Sequence, residues 1–184
     1  MRTKVASIAA DELPPNGDIL SLYNNPTLHE LVRRVVYGDA DSSTEDIYKS
    51  ADPIGCCSIN VFKPSWLHSH HFDESEFSTT LMLQKPQQGG LFEFTERIRS
   101  SQDDYRYKVV EDVIVNQDDK KKMKTSTKVS TLAFDPGTLS IFAGRYSLHR
   151  VTPCEGPIDR LVAVLTFAKT EGYKNSPEVQ KLFW

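Results

Sequence analysis

The segment Leu139-Ser140-Ile141-Phe142-Ala143-Gly144-Arg145-Tyr146-Ser147-Leu148-His149-Arg150-Val151-Thr152 reads as two strands around a turn. Leu139–Phe142 and Ser147–Thr152 are rich in apolar, aromatic and β-branched residues, and Ala143-Gly144 lies between them as turn chemistry. Five more stretches have the same character: Ile54–Phe62, Glu76–Gln84, Leu91–Phe94, Thr125–Phe134 and Arg160–Ala168. Gln88-Gly89-Gly90, Asp135-Pro136-Gly137 and the run from Pro153 to Pro157 punctuate them. Short strands at regular spacing predict a mainly β protein, a sandwich or jelly roll. The mouth between two such sheets suits a small ligand and a metal.

Helices flank this core. Pro26–Tyr37 carries an apolar stripe (Leu28, Leu31, Val32, Val35, Val36), with Asn25 placed to cap it and Pro26 in its first turn. Asp103–Val115 is amphipathic, and a last helix is expected from Ser176-Pro177 toward Phe183. Residues 38–53 and 116–124 are polar and charged and read as loops. The chain is expected to form a single domain, with helical and loop support over 1–53, a core over 54–170 and a C-terminal helix over 171–184.

Composition narrows the function. The 184 residues are 39% hydrophobic and 26% charged, with a net charge of −3. No basic excess exists to displace counterions from nucleic acid or to hold an anionic membrane. The longest apolar run, Leu161 to Ala168, is far short of a membrane span. The first residues are too broken for a signal-peptide core. Cys56 and Cys57 are adjacent and Cys154 makes the count odd, which points to a reduced, cytoplasmic protein.

The chemistry concentrates in Trp66-Leu67-His68-Ser69-His70-His71-Phe72-Asp73-Glu74. Residues two apart in extended backbone share a side, so His71 and Asp73 can reach one ion. In a chain with five histidines and 25 acidic residues, about one such pair arises by chance. His149 supplies a third donor, and two histidines with one carboxylate form the facial triad of non-haem Fe(II) oxygenases. Arg160, eleven residues later, shares a strand face with Val162, Val164 and Thr166. If that face looks inward, the guanidinium needs an anion: a dicarboxylate co-substrate, or a structural partner such as Asp159 or Glu155. The loop with Pro153, Gly156 and Pro157 is expected to fold the strands of His149 and Arg160 into antiparallel neighbours.

The run His71 to Gln84, then Gly89-Gly90-Leu91-Phe92-Glu93-Phe94, then Asp135 to Pro153, resembles the Fe(II)/2-oxoglutarate-dependent oxygenases. Within them it is most similar to the branch of free-amino-acid hydroxylases and related halogenases. The resemblance covers residues 54–170 and implies a double-stranded β-helix, the cupin-like jelly roll. It implies Fe(II) on His71, Asp73 and His149, and 2-oxoglutarate with its distal carboxylate on Arg160. Dioxygen would be co-substrate, and a small molecule, a free amino acid or derivative, would be substrate. Halogenases of the branch carry Gly or Ala in place of the metal carboxylate, so Asp73 implies hydroxylation. His68 and Trp184 fall where members line the substrate pocket. Many members carry a small hydroxyl residue two after the arginine. Here that residue is Val162, and Thr79 and Thr166 are the candidates for the missing bond. Desaturation or cyclisation with the same cofactors, a cupin-like metalloenzyme without 2-oxoglutarate, and a non-catalytic metal-binding jelly roll are the rival readings.

Overall fold

The computed structural model describes residues 3–38, 46–117, 122 and 124–183. In chain order the elements are β1 (Ala6–Ile8), α1 (Asp18–Tyr23), α2 (Pro26–Tyr37), β2 (Tyr48–Lys49), β3 (Cys57–Phe62), β4 (His68–His71), β5 (Phe77–Gln84), β6 (Gln88–Gly89), β7 (Phe92–Arg97), α3 (Tyr107–Val115), β8 (Val129–Thr131), β9 (Leu139–Phe142), β10 (Ser147–Val151), β11 (Cys154–Glu155), β12 (Arg160–Ala168) and α4 (Pro177–Phe183). The larger sheet runs β1-β3-β12-β5-β9, with β2 pairing the end of β12. The smaller sheet runs β4-β10-β7-β8, and β6 and β11 form a separate ribbon. This is the jelly roll expected from the strand pattern.

Strand alternation separates two environments. On the outer face of the larger sheet, Cys57, Leu165 and Phe167 pack with Tyr23 of α1 and Leu28 and Val32 of α2. The Tyr23 hydroxyl donates to the Thr166 carbonyl at 2.8 Å, tying α1 to β12. The inner face carries Arg160, Val162, Val164 and Thr166, which line a cavity of about 650 Å³ between the sheets.

The helix over Pro26–Tyr37 has the expected ends. Asn25 accepts from the Thr27 N–H at 2.8 Å, and Gly38 follows with φ of 80°. Other elements differ from expectation. The segment Thr125–Phe134 is a strand only over Val129–Thr131, because it pairs at an edge with β7 alone. The short β1 and α1 have too few residues to show a period. Within the loop expected over 38–53, Tyr48–Lys49 pairs with Phe167 and Ala168. Much of that loop, and of the one at 116–124, lies outside the described residues.

One buried carboxylate ties the turn before β3 to the segment around α4. Asp52 is 0% exposed. Its Oδ1 accepts from the Ile54 and Gly55 N–H groups, and its Oδ2 accepts from the Asn175 N–H and the Gln180 side-chain amide. Burial works to raise its pKa, but these donors outweigh it and lower the value below the usual 3.8. Its contribution to stability is therefore complete above the ordinary carboxylate range and is lost as pH falls through the lowered value. Asp52→Ala leaves several donors buried without an acceptor. Thermal denaturation is expected to show a loss of about 3 kcal/mol, a drop in Tm of roughly 6–12 °C.

Candidate metal centre

The pairing of β4 with β10 sets His71 directly opposite His149. Opposed residues on paired strands share a face, so both imidazoles look into the cavity. Asp73 lies just beyond β4, where its N–H donates to the Gly144 carbonyl at 3.1 Å. The His71 Nε2 is 3.4 Å and the His149 Nε2 is 3.3 Å from Asp73 Oδ1. One donor atom from each residue lies within 4.8 Å of the others. Metal–donor bonds of about 2.1 Å place adjacent ligands about 3 Å apart, close to the two distances from Asp73 Oδ1.

The local backbone aims each donor. The Nδ1 atoms of His71 and His149 lie 2.8 Å from the carbonyls of Ser69 and Ser147. Nδ1–H then donates to each carbonyl, and each Nε2 lone pair is left for a cation. Asp73 Oδ2 accepts from Ser78 Oγ at 3.1 Å, and Ser78 in turn shares a hydrogen bond with Ser75. That leaves Oδ1 toward the two imidazoles.

The electrostatics suit a divalent cation. Burial works to raise the Asp73 carboxyl, yet the charge and hydrogen bonds of His149 and His71 outweigh it and hold it well below the usual carboxylate range. Burial also works to lower His149, but Asp73 raises it. His71 is pushed down by burial and by His149. A proton on His149 therefore competes with metal, and metal affinity is expected to rise with pH. Two imidazoles and a carboxylate with open positions match non-haem Fe(II).

Gly144, which reads in the sequence as an ordinary turn glycine, lies against the Asp73 carboxylate. A methyl group there would lie 2.5 Å from Asp73 Cγ. Gly144→Ala is expected to push the carboxylate off the imidazoles. Titration with Fe(II) should show a roughly 10–100-fold weaker metal site with a near-native melt.

Arg160 opens β12 and is 2% exposed. Its guanidinium lies over the rings of Phe62 at 5.2 Å and Phe134 at 5.8 Å. Its buried Nε has no hydrogen-bond partner. Burial pushes its pKa down to about 10. Among the described residues no carboxylate pairs with it, so the structural partners considered from sequence, Asp159 and Glu155, do not account for it. The Gly89-Gly90 turn makes room for it: Gly90 has φ of 59°, and a methyl group there would meet Arg160 Cδ at 3.0 Å.

Three expectations need correction. The strands of His149 and Arg160 are not neighbours. β10 lies between β4 and β7, and β12 lies between β3 and β5, so the two residues belong to opposite sheets lining one cavity. The loop between them crosses from sheet to sheet and is pinned where Cys154–Glu155 pairs with Gln88–Gly89. Thr79 does not face the cavity. Its register partners Leu165 and Ile141 pack in the outer cluster, and it is fully buried on that side. Thr166 faces inward, but its hydroxyl donates to the Gly55 carbonyl at 3.3 Å. It also stands six residues along the strand from Arg160, roughly 20 Å away.

His68 lines the cavity, and its ring stacks on His71 with centroids 3.7 Å apart. Burial, with His71 and His149 nearby, holds it neutral, its pKa lowered to about 2. Trp184 lies outside the described residues. No helix among the described residues is long and apolar enough to cross a membrane.

A family model described as halogenase D matches residues 3–182. Among solved structures, the chain is similar to an oxidoreductase of the 2OG-Fe(II) oxygenase family from Burkholderia pseudomallei, with 16% identity, a TM-score of 0.58, and coverage of 92% of this chain and 67% of that one. It is also similar to AviO1 from Streptomyces viridochromogenes Tue57, with 14% identity, a TM-score of 0.59, and coverage of 96% and 72%. A prolyl-4-hydroxylase from Pseudomonas putida shares 15% identity at a TM-score of 0.50, with coverage of 90% and 71%. These likenesses show a common fold. No curated protein matches the sequence.

Proposed function

This chain belongs to the halogenase D family, and from that footing we propose an Fe(II)- and 2-oxoglutarate-dependent oxygenase that hydroxylates an unactivated C–H of a small molecule, a free amino acid or a derivative. One observation carries the reading: a three-donor cluster and a buried guanidinium with an unpartnered Nε line the same cavity. A keto-diacid answers both halves, since its keto-carboxylate end chelates a metal and its distal carboxylate satisfies an arginine.

The iron and 2-oxoglutarate, when bound, supply an oxidant drawn from dioxygen, and the rest of the work falls to the chain. His71, Asp73 and His149 would hold the metal. Arg160 orients the co-substrate from the other sheet. Val162, Val164 and Phe142 line the intervening space with apolar surface and limit water. His68, neutral and stacked on His71, forms part of the substrate wall.

Hydroxylation is favoured over halide transfer by Asp73. Its carboxylate stands between the two imidazoles, held by Ser78 and backed by Gly144, in the position that a halide would need. The net charge of −3 and three free cysteines fit a cytoplasmic enzyme acting on small molecules, without nucleic acid or membrane as partner.

The test is aerobic incubation with Fe(II), 2-oxoglutarate, chloride and a broad amino-acid panel. The expected result is succinate above an Asp73→Ala control and a product heavier by one oxygen. A chlorinated product would replace the hydroxylase reading with a halogenase one. No succinate above the control would leave a metal-binding jelly roll.

A further inference from the structure

We propose that Asn60 is a second holder of the co-substrate's distal carboxylate and that Ser7 aims its amide. This deepens the function proposed above and rests on it.

In the register of β12 with its two neighbours, Arg160 is opposite Phe62, and Val162 is opposite Asn60 on one side and Met82 on the other. Phe62, Val162 and Met82 offer no hydrogen bond. Asn60 is thus a polar side chain flanking this end of β12 on the inner face, and it lines the same cavity as Arg160, whereas the Gln84 amide on the other side donates to the Asp159 carbonyl. As a diagonal cross-strand neighbour of Arg160, it has its backbone roughly 7–8 Å away. Two side chains of this length at that spacing can converge on one carboxylate.

The amide is also oriented. On β1, Ser7 is the register partner of Asn60. The Ser7 Oγ donates to Asn60 Oδ1 at 3.0 Å. With its oxygen engaged by Ser7, the end of the Asn60 amide left for a ligand is Nδ2, a pure donor. A donor beside a cation is the pairing that a carboxylate's two oxygens require, and it would repel a cationic group. The apolar residue at 162 therefore leaves no gap in the site, because the neighbouring strand supplies the second bond. The three-residue β1 gains a role by holding the amide the right way round.

The experiment is an anaerobic titration of the Fe(II)-loaded protein, followed by the visible absorbance of the iron–keto-acid chelate. The probes are 2-oxoglutarate and pyruvate, which lacks the distal carboxylate. Asn60→Leu is expected to weaken 2-oxoglutarate about 10–100-fold, the range of one hydrogen bond to a charged group, and to leave pyruvate unchanged. Asn60→Asp, which adds a like charge, should weaken it further. Ser7→Ala should weaken it a few-fold, and Ser7→Thr should restore it. Adding Val162→Ser to Asn60→Leu should recover part of the loss, since that hydroxyl would stand directly opposite position 60. Tight 2-oxoglutarate binding that is indifferent to Asn60→Leu, or a loss shared equally by pyruvate, overturns this inference alone. A wild-type protein that binds no 2-oxoglutarate overturns the proposed function with it.

Discussion

Asp73→Gly is expected to abolish the proposed hydroxylation and to lower Fe(II) affinity by a factor of about 100 or more, the largest effect expected of any single change in this chain. Two neutral imidazoles remain, but the anionic donor that balances the cation is gone. The carboxylate is also the hub of the cluster, since both Nε2 atoms reach it, at 3.4 and 3.3 Å. Asp73→Asn keeps the shape and removes the charge, so it separates charge from packing. It should lose metal almost as severely while its melt stays near native. Calorimetric titration with Fe(II) under nitrogen measures both variants. Unchanged hydroxylation in Asp73→Gly would remove Asp73 from the ligand set.

Arg160→Met is expected to weaken 2-oxoglutarate by about 100-fold or more and to leave metal binding intact. Truncating one partner of a buried charged pair costs about 2–5 kcal/mol. The same substitution should leave stability unchanged or raise it. Arg160 is 2% exposed, its Nε has no hydrogen-bond partner among the described residues, and its guanidinium lies over the faces of Phe62 and Phe134. Burying such a group opposes folding, and a methionine of similar length would pack against the same rings. Melts with and without Fe(II) and 2-oxoglutarate check both parts. The wild type should gain Tm on adding the pair, the variant should gain only from the metal, and its baseline should sit at or above the native one. A baseline several degrees lower would mean that Arg160 holds the fold rather than a ligand.

Local pattern was informative wherever short-range physics sets the answer. The helix over Pro26–Tyr37 and the strands Leu139–Phe142 and Arg160–Ala168 have the bounds the sequence suggested, because caps, turn residues and side-chain periods act within a few residues. The trio His71, Asp73 and His149 could be singled out by residue type and spacing, and the fold brings it together. Thr79 shows the limit. A hydroxyl near the right strand looked suitable, but alternation along β5 turns it to the outer face. Gly144 and Asn60 carried no chemical signature. One matters because its missing side chain leaves room for a carboxylate, the other because of the strand beside it.

The amino-acid order on its own determined the class of fold, the donor types and which residues share a strand face, since these follow from backbone periods and side-chain chemistry. Tertiary structure alone decided which strand lies beside which. It placed His149 and Arg160 on opposite sheets instead of adjacent strands, and set Asn60 across from Val162. Strand pairing closes long loops between segments whose edges all offer the same backbone donors and acceptors, so its choice is made by the packing of the whole core and not by any local run of residues.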